Sequence, residues 1–510
     1  MRVRLRRYFN VLEVSGADNL PARFVTDLKE QLEYTKKVFL TKREAYRDDN
    51  GNWVRFSFQR HTCLTPTESG DLRCSFGFYD RILAAIKQHK LELDYRDLTP
   101  WARDRAETMT FNWSLIDGLN QRGELVFRDT QREAVQALVA NERGYVVCPP
   151  AWGKTIPAVA IACGFNKARV AVVEPTLTLL NKTHRNLLQF LPDVGRVGGG
   201  RKTYGRVSVV SVDSLHLVDD RDVYVVDEPH LCMSDTRSAK LMAVSRQANM
   251  YGLTATPDGR LDGADIRLES IFGAERFRIS WAETNRLGLN VPITVVWHRF
   301  DTRVLPVDDD ADDVSFRRYG IWEHDRRNRF VARVAGIYPP DEQTLILVDT
   351  VHHAAHLLQH LPEYEIACSE ASAIKLKGRK YADILPRGYR PPDRKRLEAL
   401  EVAFASGVCK KVIATTVWDT GADFPNLAAV IRANARGANK QKDEQVPGRV
   451  ARVVEGKDCG YVHDIVDGWS KRLCGSAKGR SGQYGSRSWQ QLEERRGDFI
   501  PISRDLFRPS

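Results

Sequence analysis

Five short apolar stretches, each ending in a polar or charged turn, constrain the fold of this chain more than any other feature. They are "GYVVCPP" (144–150), "ARVAVVEP" (168–175), "VSVVSVDS" (207–214), "DVYVVDEP" (222–229) and "NMYGLTATP" (249–257). A strand with one wet face alternates apolar and polar residues, and these stretches do not. Short continuous apolar runs separated by helical patterns indicate strands buried on both faces of a parallel sheet. A second series follows: "PITVVWHRF" (292–300), "TLILVDTV" (344–351), "KVIATTV" (411–417), "AAVIRAN" (428–434) and "GYVHDIV" (460–466). Two α/β domains in tandem are therefore expected.

The flanks read differently. "NWVRFSFQR" (52–60) alternates like a half-buried strand, "FYDRILAAIKQHK" (78–90) has apolar residues at 79, 82, 83 and 86 on one helix face, and "LELDY" (91–95) returns to strand. These predict a small α+β domain over 1–115, followed by α/β domains over 116–285 and 286–470. The Gly-, Ser- and Arg-rich stretch "GSAKGRSGQYGSRSW" predicts a basic, partly flexible tail over 471–510. Nothing in the chain reads as a membrane span or a secretion signal, which points to the cytoplasm. The nine cysteines are scattered with no C-x-x-C pair, the pattern of structural thiols in a reducing compartment. A net charge of +11 suits a polyanionic partner.

The turns that end the apolar runs carry the chemistry, since ligands of open α/β sheets bind beyond the carboxyl ends of the strands. "PPAWGKT" (149–155) ends like a phosphate-binding loop but has Cys148 where such a loop has its first glycine. Gly153, Lys154 and Thr155 at a strand-to-helix turn suit a triphosphate. Asp227 and Glu228 follow "VYVV"; paired carboxylates at a buried strand end need a cation, and Mg2+ on Asp227 with Glu228 orienting water fits phosphoryl transfer. His230 stands two residues on, and Thr254-Ala255-Thr256 ends the next buried run. In the second series Thr415, Gly421 and Asp423 follow "KVIA", and Gln445, Gly448, Arg449 and Arg452 lie beyond. Arg449 and Arg452, three apart, share a helix face and suit one anion.

In order and spacing these residues resemble the motifs of superfamily 2 helicases. Phe127-Arg128-Asp-Thr-Gln131 resembles the adenine-reading element, "PPAWGKT" motif I, Pro175-Thr176 motif Ia, and Gly198-Gly199-Gly200 with "VSVVSVDSL" motifs Ib and Ic. Asp227, Glu228 and His230 resemble a DExH motif II, Thr254-Ala-Thr256 motif III, and "TLILVDTVHHAAHLLQHL" (344–361) motif IV. Gly421 and Asp423 resemble motif V; Gln445, Gly448, Arg449 and Arg452 resemble motif VI. "GLTATPDGRLDGADIRLESIFG" and "VGRVGGGRK" are similar to the branch that holds XPB-like and UvsW-type phage helicases.

The resemblance implies two tandem RecA-like domains and an ATPase using Mg2+. It implies catalysis by Lys154, Asp227, Glu228, Arg449 and Arg452, with Thr155 and Asp227 on the ion. Nucleotide contacts would come from Arg128, Gln131, Gly153, Lys154, Thr155, Gly421, Asp423 and Gln445. Coupling would fall to His230, Thr254 and Thr256, and nucleic-acid contacts to Pro175, Thr176, Gly199 and Thr415. The implied activity is an ATP-dependent DNA helicase or translocase on single-stranded, forked or branched DNA, in replication, recombination or repair, in a bacterial or phage-infected cell. RNA as substrate is an alternative, as is a restriction or defence assembly whose separate nuclease partner does the cutting. His352, His353 and His356 approach helical ligand spacing, but no carboxylate stands at ligand spacing in the sequence, so they are not expected to hold metal. The acidic run "DDDADD" (308–313) reads as a solvated loop, and Trp418 as a buried residue.

Overall fold

Val170–Glu174, Val207–Ser211 and Asn249–Thr254 are buried along their whole length, as their unbroken apolar character requires. The computed structural model describes residues 2–15, 20–39, 46–47, 53–54, 56–100, 105–218, 220–255, 264–418, 424–438, 447–503 and 505–509. It divides into two units, one of Met1–Cys148 with Gly153–Arg278, the other of Pro149–Trp152 with Ile279–Ser510.

The first unit holds an eight-stranded sheet in the order Arg201–Thr203, Val194–Gly198, Val207–Ser211, Val170–Glu174, Val223–Asp227, Asn249–Thr254, Arg143–Val147, Glu275–Arg278. Every neighbouring pair is parallel except the hairpin of Val194–Gly198 with Arg201–Thr203. That hairpin turns through Gly198, Gly199 and Gly200, all at positive φ, where side chains are strained. The helix Thr155–Gly164, buried from Pro157 onward, is apolar on all sides because it packs between the sheet and its neighbours Trp113–Gln121 and Asp129–Val139.

The same unit carries a five-stranded sheet in the order Thr65–Pro66, Leu72–Ser75, Val11–Ser15, Arg2–Tyr8, Glu92–Asp97. Helices Ala22–Gln31 and Tyr79–Gln88 bury Phe24, Leu28, Ile82 and Ile86 with Val3, Leu5, Leu12 and Val14 of this sheet. Arg7 takes an inward position on its strand. It lies with its guanidinium carbon 3.7 Å from the Phe76 ring centre and bonds Asp97 (3.2 Å) and Glu142 (2.5 Å), the last just ahead of the central strand Arg143–Val147. Arg276 pairs with Asp80 at 2.7 Å, and Arg81 pairs with Glu269. Gly77 makes this docking close: a Cβ there would meet the Glu269 carbonyl oxygen at 2.1 Å.

The second unit repeats the architecture with the order Glu365–Ala367, Lys411–Ala414, Thr344–Leu347, Ala429–Arg432, Gly460–Asp467, Ile293–Phe300, Gln490–Arg495, Asp498–Pro501. All pairs are parallel except the last. The two RecA-like sheets and the small preceding α/β sheet are the fold class the sequence implied.

The stretch read as a basic, partly flexible tail carries a helix and two strands. Lys471–Gly485 is a helix that buries Leu473, Cys474, Ala477, Arg480 and Tyr484, and Gln490–Arg495 pairs with Ile293–Phe300 inside the sheet. The Gly, Ser and Arg content masks an apolar spacing of three to four residues, and Tyr484 and Trp489 stack at 5.5 Å. The acidic run has a matching role: Asp309 accepts from the Ser470 hydroxyl and from Lys471 N (3.0 Å) at the start of that helix. Arg480 forks onto fully buried Asp464 with two 2.9 Å bonds, and Tyr484 donates to the same carboxylate at 2.9 Å. Burial alone would raise the Asp464 carboxyl, but Arg480 and Arg432 outweigh it and hold it below its ordinary value. All nine cysteines are free thiols, and no helix among the described residues is long and apolar enough to cross a membrane.

Removing Arg480 would strand a buried carboxylate. Arg480→Ala is expected to cost the second unit about 3–5 kcal/mol, read as a fall in the midpoint of its urea unfolding transition.

Candidate active site

The parallel register of the first sheet brings its loaded turns to one edge. Val147 stands opposite Thr254, Asp227 opposite Leu253, and Val173 opposite Val226, so the strands end within a residue or so of one another. Cys148 continues its strand and donates its N–H to the Thr254 carbonyl at 2.9 Å. It is not among the residues at positive φ, which explains why no glycine is needed there. The left-handed positions of the loop fall later, at Ala151 (φ 72°) and Gly153 (φ 97°). Trp152 is fully buried, so its bulk is an anchor for the loop.

Glu228 lies at the centre of the edge. Lys154 forms an ion pair with its Oε1. Its Oε2 accepts from Ala255 N at 3.4 Å, and lies 3.4 Å from His230 Nδ1. His230 and Thr254, both buried, share a 2.8 Å hydrogen bond. Glu228 itself adopts φ 45°, a left-handed conformation that costs a residue with a side chain about 1–2 kcal/mol. Its N–H is fixed on the Leu253 carbonyl at 2.8 Å, which holds the carboxylate over the strand end.

The charges are uneven. Burial alone would raise Glu228, but Lys154 and His230 outweigh it and leave it below its ordinary value. Burial likewise opposes charge on Lys154, yet Glu228 and Asp227 keep it firmly cationic. Burial pushes Asp227 up to about 6, with Lys154 pulling the other way. Glu174, at the end of the neighbouring strand, is 1% exposed and accepts from the Thr183 hydroxyl at 2.6 Å. Burial, then repulsion from Asp227, raises its carboxyl well above the ordinary range. Asp227, partly exposed, and the Thr155 hydroxyl, in the first turn of its helix, are the oxygen donors that Mg2+ prefers.

Residues 124–259 match the family described as "Type III restriction enzyme, res subunit". The DNA 3'-5' translocase XPB2 of Sulfurisphaera tokodaii is 24% identical over 396 residues, covering 72% of this chain and 88% of that protein. A probable helicase of Escherichia phage T5 is 22% identical over 352 residues, covering 67% of this chain and 72% of its own. The structure of S. cerevisiae Dbp5 bound to RNA and ADP BeF3 matches with a TM-score of 0.53 at 14% identity, covering 76% of this chain and 95% of that one, a likeness of fold alone. In these comparisons the chain is similar to superfamily 2 helicases.

The first sheet brings together Lys154, Asp227, Glu228, His230 and Thr254 at one strand edge, and Gln131 joins them. Its side chain is buried, donates to the Gly153 carbonyl at 3.3 Å and accepts from Arg128 N at 3.1 Å. Other expected contacts have local work. Pro175 is buried, and the Thr176 hydroxyl caps the helix Leu177–Leu187 by accepting from Leu179 N at 3.3 Å. Gly199 is exposed in its hairpin turn, and Thr415 is buried with its N–H on the Ala367 carbonyl at 2.9 Å. Trp418 is buried against Phe404 and Phe424, as the sequence suggested. Arg449 and Arg452 do not share an α-helical face: Pro447–Ala451 is a 3-10 turn that ends before Arg452. Within the second unit Arg449 lies 5.7 Å from the Phe424 ring centre, and Arg452 donates to the Ala151 carbonyl at 3.2 Å. Thr256, Gly421, Asp423 and Gln445 lie outside the described residues. Glu174 was missed by motif reasoning; the signal was an acidic residue closing a fully apolar strand.

Because Glu174 holds its proton in the folded state above the pH at which the unfolded chain releases it, its contribution to stability is complete below about pH 4.5 and is lost as pH rises through the folded value. Glu174→Gln keeps the neutral shape and cannot ionise. Relative to this variant, the wild type is expected to lose up to about 1.4 kcal/mol of stability per pH unit on the alkaline side, measured by urea unfolding from pH 5 to 8.

Proposed function

We propose that this chain is an ATP-driven motor that translocates on or unwinds DNA, with forked or branched DNA as its working substrate. The observation that carries the reading is the set of contacts on Glu228: one carboxylate meets the phosphate-loop lysine and also faces the His230–Thr254 pair. A triphosphate entering the turn before Thr155–Gly164 meets helix N–H groups and the Lys154 ammonium. Its γ-phosphate competes with Glu228 for that ammonium. Once released from Lys154, Glu228 keeps His230 beside it as a group favouring its charged form and is the candidate to orient the attacking water. Bound Mg2+, held by Asp227 and Thr155, would supply charge neutralisation on the phosphate oxygens. Arg449 and Arg452 are the candidates to stabilise the transferring phosphoryl group, and Gln131 to read the adenine.

Loss of the Lys154–Glu228 pair on nucleotide binding changes the field felt by His230 and Thr254, which gives the site a route to the Thr254 turn. Strand contacts through phosphates carry no base information, so weak sequence preference is expected. The DNA 3'-5' translocase name of the Sulfurisphaera tokodaii relative supports DNA over RNA. A second reading, the motor subunit of a restriction assembly with a separate nuclease, draws on the family description matched by residues 124–259. It predicts that a nuclease subunit co-purifies.

Steady-state ATP hydrolysis tests the proposal, run without nucleic acid and with single-stranded DNA, duplex, a four-way junction and RNA. DNA is expected to stimulate turnover most strongly as a junction, and Lys154→Ala to reduce turnover by about 100-fold or more. Thr254→Val, which removes the hydroxyl facing His230, is expected to lower the ratio of DNA-stimulated to basal turnover. Turnover indifferent to every nucleic acid would rule out the motor.

A further inference from the structure

No carboxylate stands at ligand spacing from the histidines at 352–356 along the chain; the fold supplies one. Glu323 directly follows the turn Arg318–Trp322 and reaches the helix Val351–Leu358, where its Oε1 lies 2.6 Å from His352 Nε2. His352 and His356 stand one turn apart on that helix with ring centres 4.7 Å apart. One ligand atom from each of Glu323, His352 and His356 falls within 4.8 Å of the other two, and all three residues are half-buried. His352 Nδ1 and His356 Nε2 are buried without a hydrogen-bond partner, an unusual cost for two adjacent imidazoles.

We propose that Glu323, His352 and His356 bind one divalent transition-metal ion of the zinc class. Two imidazoles and one carboxylate form a ligand set that suits zinc, leaving a fourth position for water. Two cations stand near the cluster: the charge of Lys380 is felt at His356, and Arg318 Nε donates to Glu323 Oε1 at 2.6 Å and competes with the ion for that oxygen. Arg318 is half exposed, so it can swing into solvent when the ion binds. The Tyr381 ring, 5.8 Å from that of His352, covers one side of the pair. Bound metal would clip the 318–323 turn to the helix Val351–Leu358 inside the second unit. His353 takes no part, since its Nε2 is engaged by Asn328 at 3.3 Å.

The test uses the full chain after chelator treatment, titrated with ZnCl2 against a chromophoric chelator, and with CoCl2 for the absorption bands of tetrahedral cobalt. One zinc equivalent is expected. His356→Ala and Glu323→Gln should each weaken it by more than the roughly 10–100-fold that loss of an outer partner costs, and abolish the cobalt bands. His360→Ala, whose imidazole pairs with Asp325 at 3.0 Å, should bind as the wild type does. Zinc should also raise the wild-type melting temperature and leave that of Glu323→Gln unmoved, a readout that holds even where His356→Ala folds poorly. No saturable binding, binding undiminished in Glu323→Gln, or equal loss in His360→Ala would overturn the proposal.

Discussion

One lysine facing a cluster of carboxyl groups sets the electrostatics of the first unit. Neighbouring parallel strands end in Glu174 and in Asp227 with Glu228, and hydrogen-bonded register fixes those ends beside each other. Three ionised carboxylates could not share that buried edge. Lys154 therefore decides which of them stays charged. Glu228, in contact with it, is the acidic one; Asp227 is raised to about 6; Glu174, furthest into the apolar sheet, keeps its proton. A site built this way responds to any ligand that takes the lysine away, as the triphosphate proposed here would.

Within each unit, ion pairs join the elements. Arg7 ties the small N-terminal sheet to Glu142, next to the strand that leads into the phosphate loop. Gly77 lets the same region lie against the helix that contains Glu269. In the second unit Arg327 forks onto Asp467 and Arg480 onto Asp464, both carboxylates on the strand Gly460–Asp467. Breaking such a pair leaves a buried charge, so each fixes one arrangement of its elements even where it adds little net stability.

Much of this was legible from the residues. The doubly buried strands announced themselves by continuous apolar runs, and all of the runs that anchored the reading became central strands of the two sheets. The edge strands Glu365–Ala367 and Asp498–Pro501 were not visible, because an edge strand is short and half wet and carries no such run. The folded tail was hidden for a related reason: Arg480 reads as a solvated base until Asp464 is placed opposite it.

The sequence by itself determined the fold class, the order of the loaded turns and the identity of the residues at the strand ends, because those depend on local apolar periodicity and on motif spacing. Only the tertiary structure decided how those residues share charge, why Cys148 can replace a glycine, and that Glu323 comes to His352 and His356. Burial, register and contacts between segments far apart in the chain fix these features, and no local pattern encodes them.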